Sequence, residues 1–253
     1  MARRRRADDV DAGNVHWVEG DLDDPASLIP AVPGVSEVLL ATPMHDSIDA
    51  REIAHLKASG LRWTILSPNS VMETALLPLA VSVPWRVVMG CSGQGQVGFV
   101  ALDDVARMAA LVLSADAAAA SGFDGQELVV TGPEALSLPQ VCQQISGLVG
   151  RRVRFLDLPE DQFRAMLLED GDFGDAASIE TEVLCHLRAW RRGGAAVVTD
   201  TVERVSGRPA LTVAAWLESQ RAAFDRPRRL QDRLIALLLR LRYGRYALAA
   251  VSS

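Results

Sequence analysis

Residues 15–28 read VHWVEGDLDDPASL, and this stretch decides the predicted fold class. Its first five residues alternate between apolar and polar side chains, which is typical of a β-strand. A Gly-Asp pair interrupts the alternation, and Asp24 and Pro25 then begin a predicted helix, because acidic residues and proline are favoured in the first turn. A strand that leads directly into a helix is the repeating unit of a parallel α/β sheet.

The same unit recurs further along the chain. EVLLA at residues 37–41 and WTILS at residues 63–67 predict two more strands, and Gly60 closes the predicted helix between them. Beyond residue 130 the pattern becomes mostly helical. The sequence therefore predicts a parallel sheet with flanking helices, followed by a small, mostly helical carboxyl-terminal part. The predicted divisions are residues 1–130, 131–225 and a basic tail at 226–253.

Composition restricts the class of protein. The chain has 253 residues, of which 49% are hydrophobic, and a net charge of −6. A globular protein is expected and nucleic-acid binding is not, because nucleic-acid-binding domains are normally basic. Three cysteines without paired spacing favour a reducing compartment, so we predict a cytoplasmic location. The sequence contains no run of about 20 apolar residues that would predict a membrane-spanning helix, and no residue spacing that predicts a metal site.

Gly93–Gly98 matches the dinucleotide-binding pattern G-x-G-x-x-G literally. In that pattern the third glycine lies in the first turn of a helix. Here apolar residues from Phe99 onward predict a strand, and the next helix is expected to begin only at Asp103 or Asp104. We therefore predict a glycine-rich hairpin, with phosphate binding as the alternative.

Several stretches resemble the NmrA-like branch of the atypical short-chain dehydrogenase/reductase superfamily. They occur in the family's order and span most of residues 15–224: VHWVEGDLDDPASL with GVSEVLLATP, LKASGLRWTILSPNSVM, GFVALDDVARMAALVL, ELVVTGPEALSLPQV and VVTDTVERVSGRPALTVAAWLES. The resemblance implies a reduced Rossmann-like α/β fold. It also implies that residues 1–130 bind NADP(H) or NAD(H), and that residues 131–225 shape the pocket of a small organic substrate.

The resemblance further implies roles for individual residues at the carboxyl ends of the predicted strands, where ligands bind in open parallel sheets. An alternative is that these are ordinary turn residues, since Asp and Asn are common in turns. The implied contacts are Asp21 and Leu22 with the adenine, Ala41 and Thr42 with the ribose and pyrophosphate, Pro68 and Asn69 with the nicotinamide, and Met72 and Phe99 with the substrate.

Two parts of the family pattern are missing from this sequence. The first is the amino-terminal strand, glycine turn and helix, whose N–H groups would bind the pyrophosphate. If the chain is an oxidoreductase, we expect the missing phosphate site to be supplied either by a reading frame that starts upstream of Met1 or by another segment that replaces it. The second missing part is a helix-strand segment between Pro43 and Lys57, where only one helix has room to form.

The usual catalytic pair of the superfamily is also missing. Standard short-chain dehydrogenases place a tyrosine four residues before a lysine that lowers its pKa. The only tyrosines here are Tyr243 and Tyr246, and the only lysine is Lys57. His45 and Asn69 are the remaining catalytic candidates.

The tail predicts a basic amphipathic helix with leucines on one face and arginines on another. Packing on this chain or pairing with a second copy is the favoured interpretation; an anionic membrane surface and nucleic acid are alternatives. The leucines are Leu230, Leu234, Leu237, Leu238 and Leu241, and the arginines are Arg229, Arg233 and Arg240.

Two functions follow from the sequence. The first is an NmrA-like NAD(P)(H)-dependent oxidoreductase that acts on a small organic substrate. The alternative is a family member without redox chemistry, acting as a dinucleotide-sensing regulator or as a cofactor-free isomerase or cyclase. The missing segments favour this alternative, whereas the length of the resemblance favours the reductase.

Overall fold

The computed structural model describes residues 35, 37–41, 56–58, 60–114, 122–171 and 174–249. They form two compact units that alternate along the chain. The first unit contains the described residues up to Ser67 together with Val112–Leu128, and the second contains the described residues of Pro68–Leu111 and Val129–Ser253. The division into 1–130, 131–225 and 226–253 stays a prediction.

The first unit is built on a parallel strand pair. Strand β1 (Glu37–Ala41) pairs with β2 (Arg62–Pro68), and Ala41 lies opposite Leu66. Strand β5 (Gln126–Val130) lies on the other side of β2. The parallel pairing confirms the α/β class that the sequence predicts, because parallel neighbours require a crossover connection. The amino-terminal strand predicted at residues 15–19 lies outside the described residues.

The second unit begins with short helical turns and two small strand pairs. Helix α1 (Met72–Ala75) is followed by 3-10 turns at Leu77–Val81 and Val83–Trp85. Strand β3 (Val87–Gly90) pairs in parallel with β7 (Arg154–Asp157). Strand β4 (Gln96–Val97) pairs antiparallel with β6 (Leu136–Ser137).

These pairings correct two predictions for the glycine-rich segment. The predicted hairpin at Gly93–Gly98 is wrong, because β3 and β4 pair with different strands and not with each other. The strand predicted from Phe99 is also wrong, since only Val100 forms a bridge, with Val71. Helix α2 starts at Leu102, one or two residues earlier than predicted.

Helices make up most of the rest of the second unit, as predicted. In chain order they are α2 (Leu102–Ser114), α3 (Leu138–Val149), α4 (Glu160–Asp170), α5 (Ala176–Ile179), a π-helical turn (Glu180–Leu184), α6 (Cys185–Arg191), α7 (Thr201–Ser206), α8 (Val213–Ser219), α9 (Arg221–Phe224) and α10 (Leu230–Ala249). The last residues of α2 belong to the first unit.

Helix α3 shows how local sequence sets the ends of an element. The backbone N–H of Ser137 donates to the side-chain oxygen of Gln140 at 2.8 Å, the reciprocal arrangement of a capping box. At the other end Gly150 has a φ of 63°, a left-handed conformation that glycine adopts without strain. Residues close to each end of the helix therefore set both of its boundaries.

Helix α10 corrects the prediction for the tail. Its buried residues are Asp232, Ala236 and Tyr243, whereas Leu234 and Leu241 are exposed. The helix therefore packs on this chain, which is one part of the favoured interpretation, but it does so through the face opposite the leucines. None of the helices in the described ranges is long and apolar enough to span a membrane.

Candidate functional site

The structure places the described site candidates at the end of β1 and around the turn that follows β2. Ala41 is exposed at the carboxyl end of β1, Pro68 is half-buried and Asn69 is buried. Met72 and Phe99 are fully buried in the hydrophobic core of the second unit. The remaining candidates lie outside the described residues: Asp21, Leu22, Thr42 and His45.

The side chain of Asn69 holds the turn after β2. Its Nδ2 donates to the carbonyl oxygen of Ala195 at 2.9 Å, and its Oδ1 accepts from the backbone N–H of Ser70 at 2.8 Å. The backbone N–H of Asn69 donates to Val130 at 2.9 Å. Because both ends of the buried amide have protein partners, Asn69 is suited to positioning the backbone and not to proton transfer.

Ser70 and Phe99 share Trp190 as a neighbour. The indole N–H of Trp190 donates to Oγ of Ser70 at 3.1 Å, and its ring meets Phe99 edge to face with 5.6 Å between centroids. Backbone hydrogen bonds tie the same segments together, from Val100 to Ser70 at 3.1 Å and from Met72 to Val100 at 2.9 Å. The structure thus brings Asn69, Met72 and Phe99 into one tightly packed region, and their contacts with a cofactor or a substrate stay a prediction.

The glycines of the G-x-G-x-x-G segment are required by close backbone packing. A Cβ on Gly95 would lie 2.1 Å from the carbonyl oxygen of Trp190, and one on Gly98 would lie 2.2 Å from that of Val197. Gly93 has a φ of 59°, a left-handed conformation that favours glycine. No helix begins at Gly98, so the arrangement lacks the helix amino terminus that binds phosphate in the dinucleotide fingerprint.

The distinctive stretch TDTVERVSGRPALT is anchored at both ends. The backbone N–H of Thr199 donates to Oγ1 of Thr131 at 2.8 Å. The N–H of Leu211 donates to Oδ2 of Asp104 at 2.8 Å, and the buried Asp104 also pairs with Arg107 at 2.9 Å. Helix α2 and this stretch therefore hold each other through a buried carboxylate.

Two carboxyl groups of the second unit are unsuited to act as a general acid at neutral pH. Hydrogen bonds from Arg188 lower the pKa of Glu160 and of Glu180, so both carboxyl groups remain ionised. Burial raises the pKa of the Cys91 thiol to about 11, which keeps it protonated at neutral pH. Within the described ranges, no cluster of His, Cys, Asp and Glu is arranged to hold a metal ion.

Sequence reasoning missed the residues that support the Asn69 turn. Ser70 and Trp190 are 120 positions apart, and Thr131 and Thr199 are 68 positions apart. Neither pair has a local pattern, because the hydrogen bonds depend on the tertiary fold. The only sequence signal is indirect: a buried tryptophan usually has a partner for its indole N–H.

Two curated proteins similar to this chain are reductases. An NAD(P)H azoreductase of Xenophilus azovorans is 26% identical over 258 aligned positions, covering 87% of each chain. A (4-alkanoyl-5-oxo-2,5-dihydrofuran-3-yl)methyl phosphate reductase of Streptomyces griseus is 26% identical and covers 88% of this chain and 89% of its own length. No protein-family model matches the chain.

A solved structure agrees in fold. The NADPH-dependent quinone oxidoreductase of Escherichia coli, in complex with NADPH, has a TM-score of 0.66 at 20% identity, covering 80% of this chain and 82% of its own. The resemblance to the atypical short-chain dehydrogenase/reductases is confirmed.

Proposed function

We propose that this chain is an NAD(P)H-dependent oxidoreductase of the atypical short-chain dehydrogenase/reductase type that reduces a small organic acceptor. The observation that carries the proposal is the similarity, over 87% and 88% of the chain, to two reductases. The named relatives favour this function over a regulator or isomerase without redox chemistry. A cytoplasmic location is part of the proposal and is supported by the free thiols of Cys91, Cys142 and Cys185.

Three described residues support the proposed dinucleotide site. Ala41 is small and exposed at the carboxyl end of a parallel strand, which leaves space for a ligand at the position where open α/β sheets bind one. Asn69 positions the turn at the end of the neighbouring strand through Ala195 and Ser70. Ala41, Pro68 and Asn69 are therefore proposed as cofactor-binding residues, with Met72 and Phe99 supporting the substrate pocket.

The chemistry that this chain's residues can support is direct reduction. When bound, NAD(P)H supplies a hydride, which reduces the acceptor by two electrons while solvent supplies one proton. The carboxyl groups of Glu160 and Glu180 are held ionised by Arg188 and cannot supply that proton near neutral pH. Substrates that accept hydride without an acidic residue, such as quinones, suit this arrangement best.

The test is a titration of NADPH, and separately of NADH, with the full chain. Binding is measured through the fluorescence of the reduced nicotinamide. We expect a saturable change, and then oxidation of the bound nucleotide when a quinone or an azo dye is added. Ala41→Phe should weaken binding about tenfold or more, because the ring would fill the strand end and a tenfold loss needs only about 1.4 kcal/mol.

Val35→Phe provides the matched control. Val35 is exposed just before β1 starts, on the amino side of that strand, so a ring there should leave nucleotide binding unchanged. The proposal would be contradicted if neither nucleotide gave a saturable change at millimolar concentration. Equal weakening by both substitutions would contradict the assignment of Ala41.

A further inference from the structure

Helix α10 has two apolar faces, and the structure shows which of them packs against the protein. Asp232, Ala236 and Tyr243 are each at least 95% buried. The carboxylate of Asp232 accepts from the indole N–H of Trp85 at 3.2 Å and from the backbone N–H of Arg229 at 2.7 Å. These contacts determine the rotation of the helix about its axis.

The opposite face carries a stripe of exposed leucines. Their side chains are between 53% and 81% exposed, and their spacing of three and four residues places them on one side of the helix. A continuous stripe of this kind differs from the single exposed apolar residues that are normal on protein surfaces. The leucine stripe consists of Leu230, Leu234, Leu237, Leu238 and Leu241.

Arginines border the leucine stripe on both sides. Helical spacing places Arg233 and Arg240 along one border and Arg242 along the other. Arg242 pairs with Glu169 at 2.7 Å. Arg228 precedes the helix and is close enough to the first border to feel its charge. Burial lowers the pKa of Arg228, and the positive charges of Arg86, Arg233 and Arg240 lower it further.

The positive charge along this border contrasts with the chain as a whole, which carries a net charge of −6. The single acidic residue of α10 is Asp232, and it faces the protein interior and not the leucine stripe. The outward side of the helix therefore combines an apolar centre with one basic edge, at Arg233 and Arg240, whereas Arg242 on the other edge is paired with Glu169. That combination matches the surface of an anionic membrane, which has acidic head groups on the outside and apolar acyl chains below them.

We propose that α10 lies flat on an anionic membrane surface, with the leucine stripe in the head-group region and its arginines on acidic head groups. Each basic residue near such a surface contributes to binding, and the leucines add burial of apolar area. A second copy of the chain is a poorer occupant of this face. Pairing two leucine stripes would bring arginine borders together, with no outward acidic side chain of α10 between them.

The experiment is cosedimentation of the full chain with vesicles. One set contains phosphatidylcholine alone, and the other contains phosphatidylcholine with about 30% phosphatidylglycerol, which gives the negative surface that arginines recognise. We expect binding to the anionic vesicles, little binding to the neutral ones, and release at about 0.5 M salt, where the Debye length is only a few ångströms.

Substitutions on the exposed face separate the contributions. The double variant Leu234→Ser/Leu237→Ser should lower vesicle binding about tenfold or more, because two large apolar groups no longer enter the head-group region. Leu113→Ser is the matched control, since Leu113 and Leu234 are equally exposed at 58% but Leu113 lies in α2. Arg233→Gln/Arg240→Gln should weaken binding severalfold and reduce its dependence on salt.

Three outcomes would overturn the proposal. One is the absence of binding to both kinds of vesicle by folded protein, with folding checked by circular dichroism. Another is equal binding by the native chain and the double leucine variant. The third is a native dimer in light scattering that the leucine variant converts to a monomer, which would identify a second copy as the occupant.

Discussion

The side-chain amide of Asn69 donates a hydrogen bond to the carbonyl oxygen of Ala195 at 2.9 Å, joining two positions 126 residues apart. The backbone N–H of Gly98 donates to the same oxygen, also at 2.9 Å. The turn after β2, the glycine-rich segment and the loop after α6 therefore meet at one acceptor. The position of the proposed site depends on this meeting point.

Replacing Asn69 with alanine should loosen that junction. Ser70 would lose the acceptor of its backbone N–H, and we expect the free energy of unfolding to fall by about 1–3 kcal/mol. Urea denaturation measures the change. Gln231→Ala, at an exposed position of α10, should stay within about 0.5 kcal/mol of the native value. A stable Asn69→Ala variant would show that the junction is held by other contacts.

The glycine-rich segment offers a test between packing and phosphate binding. In Gly95→Ala the new Cβ would meet the carbonyl oxygen of Trp190 at 2.1 Å, so the backbone must move. We expect a loss of stability of at least about 1–3 kcal/mol, measured by thermal or urea unfolding.

Gly147→Ala is the control for that substitution. No atom lies within 4 Å of a Cβ at Gly147, which is in α3, so alanine should stabilise the protein by about 0.5–1 kcal/mol. If Gly95→Ala kept its stability and lost only nucleotide binding, the phosphate interpretation of the segment would be restored.

Adjacent aspartates at the start of α2 should differ sharply on substitution. Asp104 is buried, accepts from Leu211 and pairs with Arg107, so Asp104→Asn should destabilise the fold by about 3 kcal/mol. Asp103 pairs with the same arginine at 3.2 Å, but its side chain is 88% exposed. Asp103→Asn should change stability by less than about 1 kcal/mol. Equal effects in chemical denaturation would show that the contact with Leu211 is unimportant.

Alkaline pH should destabilise the protein through its buried thiols. Burial raises the pKa of Cys142 from 9.0 to about 12, so the folded state retains a proton that the unfolded state loses. Stability from this group is fully present below pH 9 and falls as pH rises toward 12, by up to about 1.4 kcal/mol per pH unit. Urea midpoints between pH 8 and 11 measure the slope, and Cys142→Ala should reduce it. An unchanged slope in the variant would assign the effect to other groups.

The sequence by itself determined the elements whose signals are local. The capping residues of α3 define both of its ends, because Ser137, Gln140 and Gly150 act on backbone groups within a few positions. The alternation of apolar strands and helices determined the α/β class, and several dispersed stretches were sufficient to identify the family resemblance. These features depend on hydrogen bonds and periodicities that lie within one segment.

The tertiary structure alone decided which apolar face of α10 is buried, because leucine and tyrosine faces are both apolar in sequence. It also decided why Gly95 and Gly98 are glycines, since the carbonyl oxygens that exclude a Cβ come from residues nearly 100 positions later. The same holds for Asn69, whose partner is Ala195. Contacts between distant segments leave no periodic pattern in either segment, and only the packed chain shows which atoms meet.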